Sequence, residues 1–205
     1  MIITAELPRH AAAIESLLDT AFGPDRQSKT AYRLRDGVAP IRELCLVALG
    51  HDDLGNETLK GTIRYWPVAV GEAGVPALLL GPIAVDPALQ GSGLGSRLIR
   101  TTLNTAAAAG HRIVLLVGDA PYYQRFGFSR ELTQALQFPG PVDLNRFLGL
   151  ELEPGALDGV SGMVGRWAGT GGIGDGEAAA PMVPVPPKAL PAGGLWHALP
   201  VHAPA

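Results

Sequence analysis

The stretch from Ala77 to Val117 constrains the architecture of this chain more than any other. It opens with a nearly continuous apolar run, Ala77 to Val85, as expected of a central strand buried on both faces. Gly81-Pro82 sits inside that run. Proline has no N–H for a sheet ladder, so this point is expected to be a bulge or a place where the strand parts from its neighbour. After a glycine-rich turn, Leu94, Leu98, Ile99, Leu103, Ala106 and Ala107 fall on one helical face over Gly95 to Ala109, and Gly110 supplies a stop. Arg112 to Val117 then reads as a second buried strand. Strand, turn, helix and strand make a βαβ unit, whose two strands lie parallel.

The turn itself, Gln90-Gly-Ser-Gly-Leu-Gly95, carries the chemistry. A helix that starts at such a turn leaves its first N–H groups unpaired, and its dipole adds partial positive charge there. Gly91, Gly93 and Gly95 lack a Cβ, so the backbone can take unusual dihedrals and come close to a diphosphate. Two familiar phosphate-binding patterns do not fit. A dinucleotide fingerprint needs G-x-G-x-x-G and an acidic residue about twenty positions on, whereas the spacing here is G-x-G-x-G and residues 113 to 118 are apolar. A nucleotide-triphosphate loop needs Gly-Lys-Ser/Thr, and this turn has no lysine.

Elsewhere the pattern predicts an amphipathic helix over Leu7 to Phe22, and a short one over Ser28 to Arg35 with Ser28 as cap. A hairpin is predicted from Ile41 to Leu49 and Leu59 to Val70, a helical turn over Tyr122 to Phe126, and a strand from Phe128 onward. Short extra strands are expected at Phe147 to Leu152 and Val160 to Trp167. The segment 168–205 holds seven glycines, seven prolines and three charged residues, and reads as a flexible linker with an extended tail. In that tail Trp196 offers an anchor, either on the chain's own domain or on a second copy in a homodimer.

A formal net charge of −3, with no dense Lys/Arg run, lacks the electrostatic footprint of a nucleic-acid partner. Cys45 is the only cysteine, which excludes an internal disulfide and a multi-cysteine zinc site, and its apolar neighbours mark it as core filler. His197 and His202 are isolated, so no metal is expected. The amino terminus lacks a signal-peptide pattern and the apolar run around Val75 to Val85 is too short to span a bilayer, so no membrane association and a cytoplasmic location are expected.

Leu80 to Gly95, with Val85-Asp-Pro87 followed by Gln90, Gly93 and Gly95, resembles motif A of the GNAT superfamily of acyl-CoA-dependent N-acetyltransferases. Ala120-Pro-Tyr-Tyr-Gln-Arg-Phe-Gly-Phe128 resembles motif B of the same superfamily, with Tyr123 at the position of its tyrosine. The resemblance covers Met1 to about Phe128, and the Tyr-Tyr-x-Arg-Phe-Gly-Phe form is similar to a bacterial branch of predicted acetyltransferases.

The resemblance implies an α/β fold with a mixed sheet and splayed central parallel strands: a GNAT domain at 1–140, a carboxy-terminal extension packing on it at 141–167, and the tail at 168–205. It implies acetyl-CoA as acyl donor, with its pantetheine arm between the splayed strands. Ile83, Ala84 and Val85 would meet that arm, and Gln90, Gly91, Ser92, Gly93, Leu94, Gly95 and Ser96 would hold the pyrophosphate. A backbone N–H near Ile83 or Ala84 would stabilise the oxyanion, while Tyr123 would contact the cofactor and protonate the leaving thiolate. The acceptor would be a primary amine on a small molecule or peptide, attacking directly in a ternary complex, at a site built by the first helices and the carboxy-terminal region.

One departure from the family bears on catalysis. The family often carries a glutamate on the central strand to accept the amine proton, and no carboxylate occurs here between Ala73 and Val85. Glu43, Asp119 and His111 are the alternatives, beside an amine that arrives neutral. The same departure keeps open a non-catalytic acyl-CoA-binding module. A scaffold acting through its tail is disfavoured by the intact Gln90 to Gly95 turn.

Overall fold

The computed structural model describes residues 1–167. The elements run β1 (Ile2–Ala5), α1 (Ala11–Phe22), α2 (Thr30–Arg33), β2 (Leu46–His51), β3 (Glu57–Val70), β4 (Val75–Val85), α3 (Leu94–Ala108), β5 (Ile113–Val117), α4 (Ala120–Gln124), β6 (Leu136–Gln137), β7 (Phe147–Glu151) and β8 (Gly162–Arg166). The sheet has the order β1-β2-β3-β4-β5-β7 and is antiparallel except where β4 meets β5; β8 pairs the far end of β3 and also takes β6 alongside in parallel. This is the mixed α/β sheet that the resemblance implies, and its one parallel pair on the main path, β4 with β5, is that of the predicted βαβ unit.

The centre of the sheet is where the fold creates a site. On β3, Ile63 faces Ile83 and Tyr65 faces Leu80, so Arg64 alone stands opposite Gly81 and Pro82: the proline does produce a bulge. On the other edge of β4, pairing with β5 covers only Leu78 with Val114 and Leu79 with Leu115, and ends before the bulge. Beyond it the two parallel strands diverge. β5 stays held on its outer side by five residue pairs with β7, Ile113–Glu151 to Val117–Phe147.

Helices cover both faces. The apolar stripe of α3, Leu94, Leu98, Ile99, Leu103 and Ala106, packs on Ile63, Tyr65, Leu78 and Val114. The Tyr65 hydroxyl and Thr102 Oγ1 lie 2.8 Å apart inside that interface, which satisfies a buried polar pair and pins the helix to the sheet. On the opposite face Ile14 and Leu18 of α1 pack on Val47, Leu49 and Ala84, and Leu34 and Phe138 close over Trp66, Leu79 and Leu115.

Three local expectations change. The first helix begins at Ala11 rather than Leu7, because Pro8–His10 forms a 3-10 turn in which His10 Nδ1 accepts the Leu7 N–H at 3.1 Å. The helix predicted over Ser28 to Arg35 shrinks to one turn behind a 3-10 stretch, Pro24–Ser28. Arg26 is drawn inside at 3% exposure, bonding Asp19 at 2.7 Å, Glu15 and the Tyr32 hydroxyl, and Ser28 Oγ donates back to the Asp25 carbonyl instead of capping. The strand expected from Phe128 is reduced to a bridge between Ser129 and Gly149, since Thr133 Oγ1 turns in to donate to the Phe147 carbonyl at 2.7 Å. β1, too short to show a period in sequence, forms an edge. The strands expected near 147–152 and 160–167 are β7 and β8. Trp196, His197, His202 and the rest of the tail lie outside the described residues.

Candidate active site

The divergence of β4 from β5 opens a cleft of about 920 Å³. Ile83, Ala84 and Val85 line it, and Gln90 and Gly95 carry it to the start of α3. Gly91 and Gly93 adopt φ of 80° and 82°, a left-handed backbone that strains other residues, and nothing stands within 4 Å of where their Cβ atoms would be. Among the described residues no acceptor meets the main-chain N–H of Gly93, Gly95 or Ser96. The Leu94 N–H meets only Ser92 Oγ, at 3.4 Å. An open concavity with unpaired N–H groups at a helix start fits a diphosphate. Leu94 itself points its side chain into the core at 2% exposure, so any part it takes in the cradle is through its main chain.

The two tyrosines of α4 divide their places. Asp119 caps this helix, accepting the Tyr122 N–H. The Tyr122 hydroxyl lies over the first turn of α3, so close that a Cβ at Gly95 would stand 2.9 Å from it. Arg125 sits over the Tyr122 ring at 4.4 Å and holds it there. Tyr123 lies on Phe128 edge to face, with centroids 5.8 Å apart, and presses on Gly118, where a Cβ would fall 2.2 Å from the ring. The Tyr123 ring is 9% exposed, yet it lines the cleft and its hydroxyl has no hydrogen-bond partner among the described residues. Burial pushes its phenol up, with a further push from neighbouring Tyr122, so it stays protonated across the neutral range.

The opposite wall comes from α2 and the segment 138–146, which Thr30 Oγ1 ties together by donating to the Pro141 carbonyl at 2.7 Å. This wall carries Lys29, Tyr32, Arg33, Arg35 and Arg146, residues that pattern reading had no reason to single out. Of the alternatives for a base, only Asp119 borders the cleft; Glu43 and His111 do not. Burial lowers the pKa of His111, an effect Glu43 opposes. A second carboxylate, Asp143, also borders the cleft and accepts the Asn145 N–H at 3.0 Å. Cys45 is buried, its Sγ donates to the Ile41 carbonyl, and burial pushes its thiol up to about 11, as suits inert filler. Among the described residues no group of three His, Cys, Asp or Glu side chains could hold a metal, and no helix is long and apolar enough to cross a membrane.

A mixed sheet whose central parallel strands splay beside a glycine-started helix defines an N-acyltransferase fold of the GNAT type. Residues 9–130 match the family described as "Acetyltransferase (GNAT) domain", and the chain belongs to the GNAT acetyltransferase family. It is 32% identical over 165 residues to the uncharacterized N-acetyltransferase YhbS of Escherichia coli K12, covering 80% of this chain and 95% of that one. It is 44% identical over 125 residues to the uncharacterized N-acetyltransferase YjhQ of the same strain, covering 58% and 64%. A crystal structure of Escherichia coli YhbS in complex with CoA superposes with a TM-score of 0.67 at 31% identity, over 81% of this chain and 89% of that one. A GNAT acetyltransferase from Brucella melitensis in complex with acetyl-CoA gives 0.57 at 31% identity, over 82% and 96%.

Proposed function

We propose that this protein transfers an acetyl group from acetyl-CoA to the primary amine of a small acceptor by direct attack within a ternary complex. The observation that carries the reading is the continuity of one cleft from the unpaired strand edge at Ile83 to Val85 to the open N–H groups at the start of α3. A diphosphate suits the cradle of Gln90 to Ser96, and an extended amide-bearing arm suits the β4 edge, where no strand pairs beyond Leu79. YhbS from Escherichia coli and the Brucella protein, both superposable on this chain, are bound to CoA and acetyl-CoA respectively.

The residues of the chain would act as follows. The acceptor nitrogen, neutral when it attacks, forms a bond to the acetyl carbon while the main-chain N–H at Ile83 or Ala84 takes the developing oxyanion. The carbon–sulfur bond then breaks, the nitrogen gives its extra proton to water, and the departing sulfur takes one. Tyr123 would supply that proton or hold the thiolate by a hydrogen bond, a role supported by its free hydroxyl and by a phenol that stays protonated. β4 offers no carboxylate, and Asp119 is engaged as the α4 cap, so no base is assigned to this chain.

Incubating the protein with acetyl-CoA and an amine panel, with CoA release as the readout, tests the proposal. Release that depends on one amine class supports it. Tight acetyl-CoA binding without release on any amine would replace it with the binding-module reading that the missing strand carboxylate favours.

A further inference from the structure

Arg35 is a cleft cation whose Nε is shut off from solvent and which has no counter-charge among the described residues. Its neighbours are matched: Arg26 meets Glu15 and Asp19, and Arg64 meets Glu6 with bonds of 2.6 and 2.7 Å and Glu15 at 3.3 Å. No carboxylate pairs with Arg35 among the described residues; its hydrogen-bonding neighbour is the neutral Tyr32 hydroxyl, which already accepts from Arg26 Nη1 at 2.9 Å. The Arg35 Nε has no partner among the described residues. The guanidinium is held in place all the same, over the rings of Tyr32 at 4.6 Å and Trp66 at 5.0 Å. Its Nη2 points at the bend of β4, 3.4 Å from where a Cβ of Gly81 would be, and the side chain borders the cleft. Burial lowers its pKa to about 10, so it is still a cation at neutral pH, and no carboxylate among the described residues balances it.

A rigid guanidinium without an ion pair, lying against Gly81 two residues before Ile83, suits a ligand group that is flat or forked and negative. Resting on the acetyl transfer proposed above, we infer that the acceptor is a small anionic amine, whose carboxylate or phosphate is bound by Arg35 with its amino group a few bonds away at the thioester. Lys29 and Arg33 on the same wall favour the same sign of ligand. The anion removes the uncompensated charge, and the bond it makes orients the amine for attack. Arg35 is thus a binding residue, with no proton to give or take.

The test uses the full chain with acetyl-CoA and a panel of free amino acids, each paired with its carboxamide, plus phosphoethanolamine paired with ethanolamine. The inference expects kcat/KM to favour the anionic member of the productive pair by about tenfold or more, expressed in KM. Which pair responds tells carboxylate from phosphate. In Arg35→Met the KM of the anionic member should rise about tenfold more than that of its neutral partner, with Arg35→Lys recovering part of the difference. Neutral amines accepted as well as anionic ones by the unaltered protein, or an equal loss on both members in Arg35→Met, would overturn it. Should no amine release CoA, acetyl transfer fails and calorimetry on the CoA-loaded protein still decides Arg35. Binding of an anionic amine that Arg35→Met abolishes supports the site, and no binding to the unaltered protein overturns it.

Discussion

The two halves of the cleft are made of different material. The half assigned to the acyl donor is main chain: an unpaired strand edge at Ile83 to Val85, glycines at positive φ, and free N–H groups at the start of α3. The half assigned to the acceptor is side chain: Lys29, Tyr32, Arg33 and Arg35 on α2 and its flanks, with Asp143 and Arg146 from the segment tied to them through Thr30 and Pro141. Main-chain recognition needs a fixed backbone path, and so a fixed set of glycines and a proline. Side-chain recognition needs only that some residue of suitable chemistry be carried to the spot. One half is therefore written in a motif and the other is not.

The most damaging way to break this contrast is to put a side chain where only backbone fits. A Val at Gly95 would drive its Cβ into the Tyr122 hydroxyl and project into the cradle. Acetyl-CoA affinity, measured by calorimetry, should fall about 100-fold, the loss expected when one or two main-chain hydrogen bonds to the diphosphate are removed. An unchanged affinity would mean that the start of α3 is not where the diphosphate lies.

Tyr123 stands at the seam between the halves. Tyr123→Phe keeps the packing on Phe128 and removes only the hydroxyl. Its kcat should drop about 100-fold while acetyl-CoA affinity holds. An unaltered rate would remove the acid role. The pH profile adds a second reading. The acceptor must lose a proton before attack, so kcat/KM should climb about tenfold per unit below the amine's pKa. Burial raises the Tyr123 phenol above its ordinary value of about 10. No fall from its ionisation should therefore appear below that pH; a descending limb near neutrality would point to another acid.

The same contrast explains what could be read in advance. The bulge at Gly81-Pro82, the strand–turn–helix–strand unit and the helical turn that carries Tyr123 were legible because each depends on a backbone constraint or a fixed spacing. Arg35 was invisible, because its meaning comes from Trp66 and Gly81, neighbours brought close only by the fold. The shortening of α2 was hidden for a related reason: Arg26, outside the predicted helix, is drawn inside by Glu15 and Asp19 of α1 and by Tyr32, contacts that only the fold brings together. The β-strand from Phe128 failed because Thr133, a residue with no period of its own, bonds the Phe147 carbonyl.

Gly118 tests the acceptor-side edge of the seam on stability rather than rate. Its missing Cβ is the space the Tyr123 ring fills, so Gly118→Ala overpacks a buried contact. Thermal or denaturant unfolding should show a loss of about 1–3 kcal/mol. Because the ring must move, kcat should fall with it, and Gly118→Ala combined with Tyr123→Phe should lose less than the two singly added. Full additivity would mean that the ring yields without moving its hydroxyl.

The smallest effect sharpens the contrast most, because it asks whether the main-chain half depends on side chains far behind it. Tyr65 and Thr102 share a hydrogen bond between β3 and α3, about two turns along the helix from its start at Leu94. Thr102 Oγ1 also lies within hydrogen-bonding distance of the Leu98 and Ile99 carbonyls, so Tyr65→Phe leaves no buried donor stranded. The expected cost is about 1 kcal/mol of stability, read by denaturant unfolding. Acetyl-CoA affinity should stay where it was, since the cradle is set by the backbone at Gly91 to Gly95 and by the apolar stripe under it. If affinity falls along with stability, the cradle is held by the placement of the whole helix, and the donor half is less self-sufficient than its motif suggests.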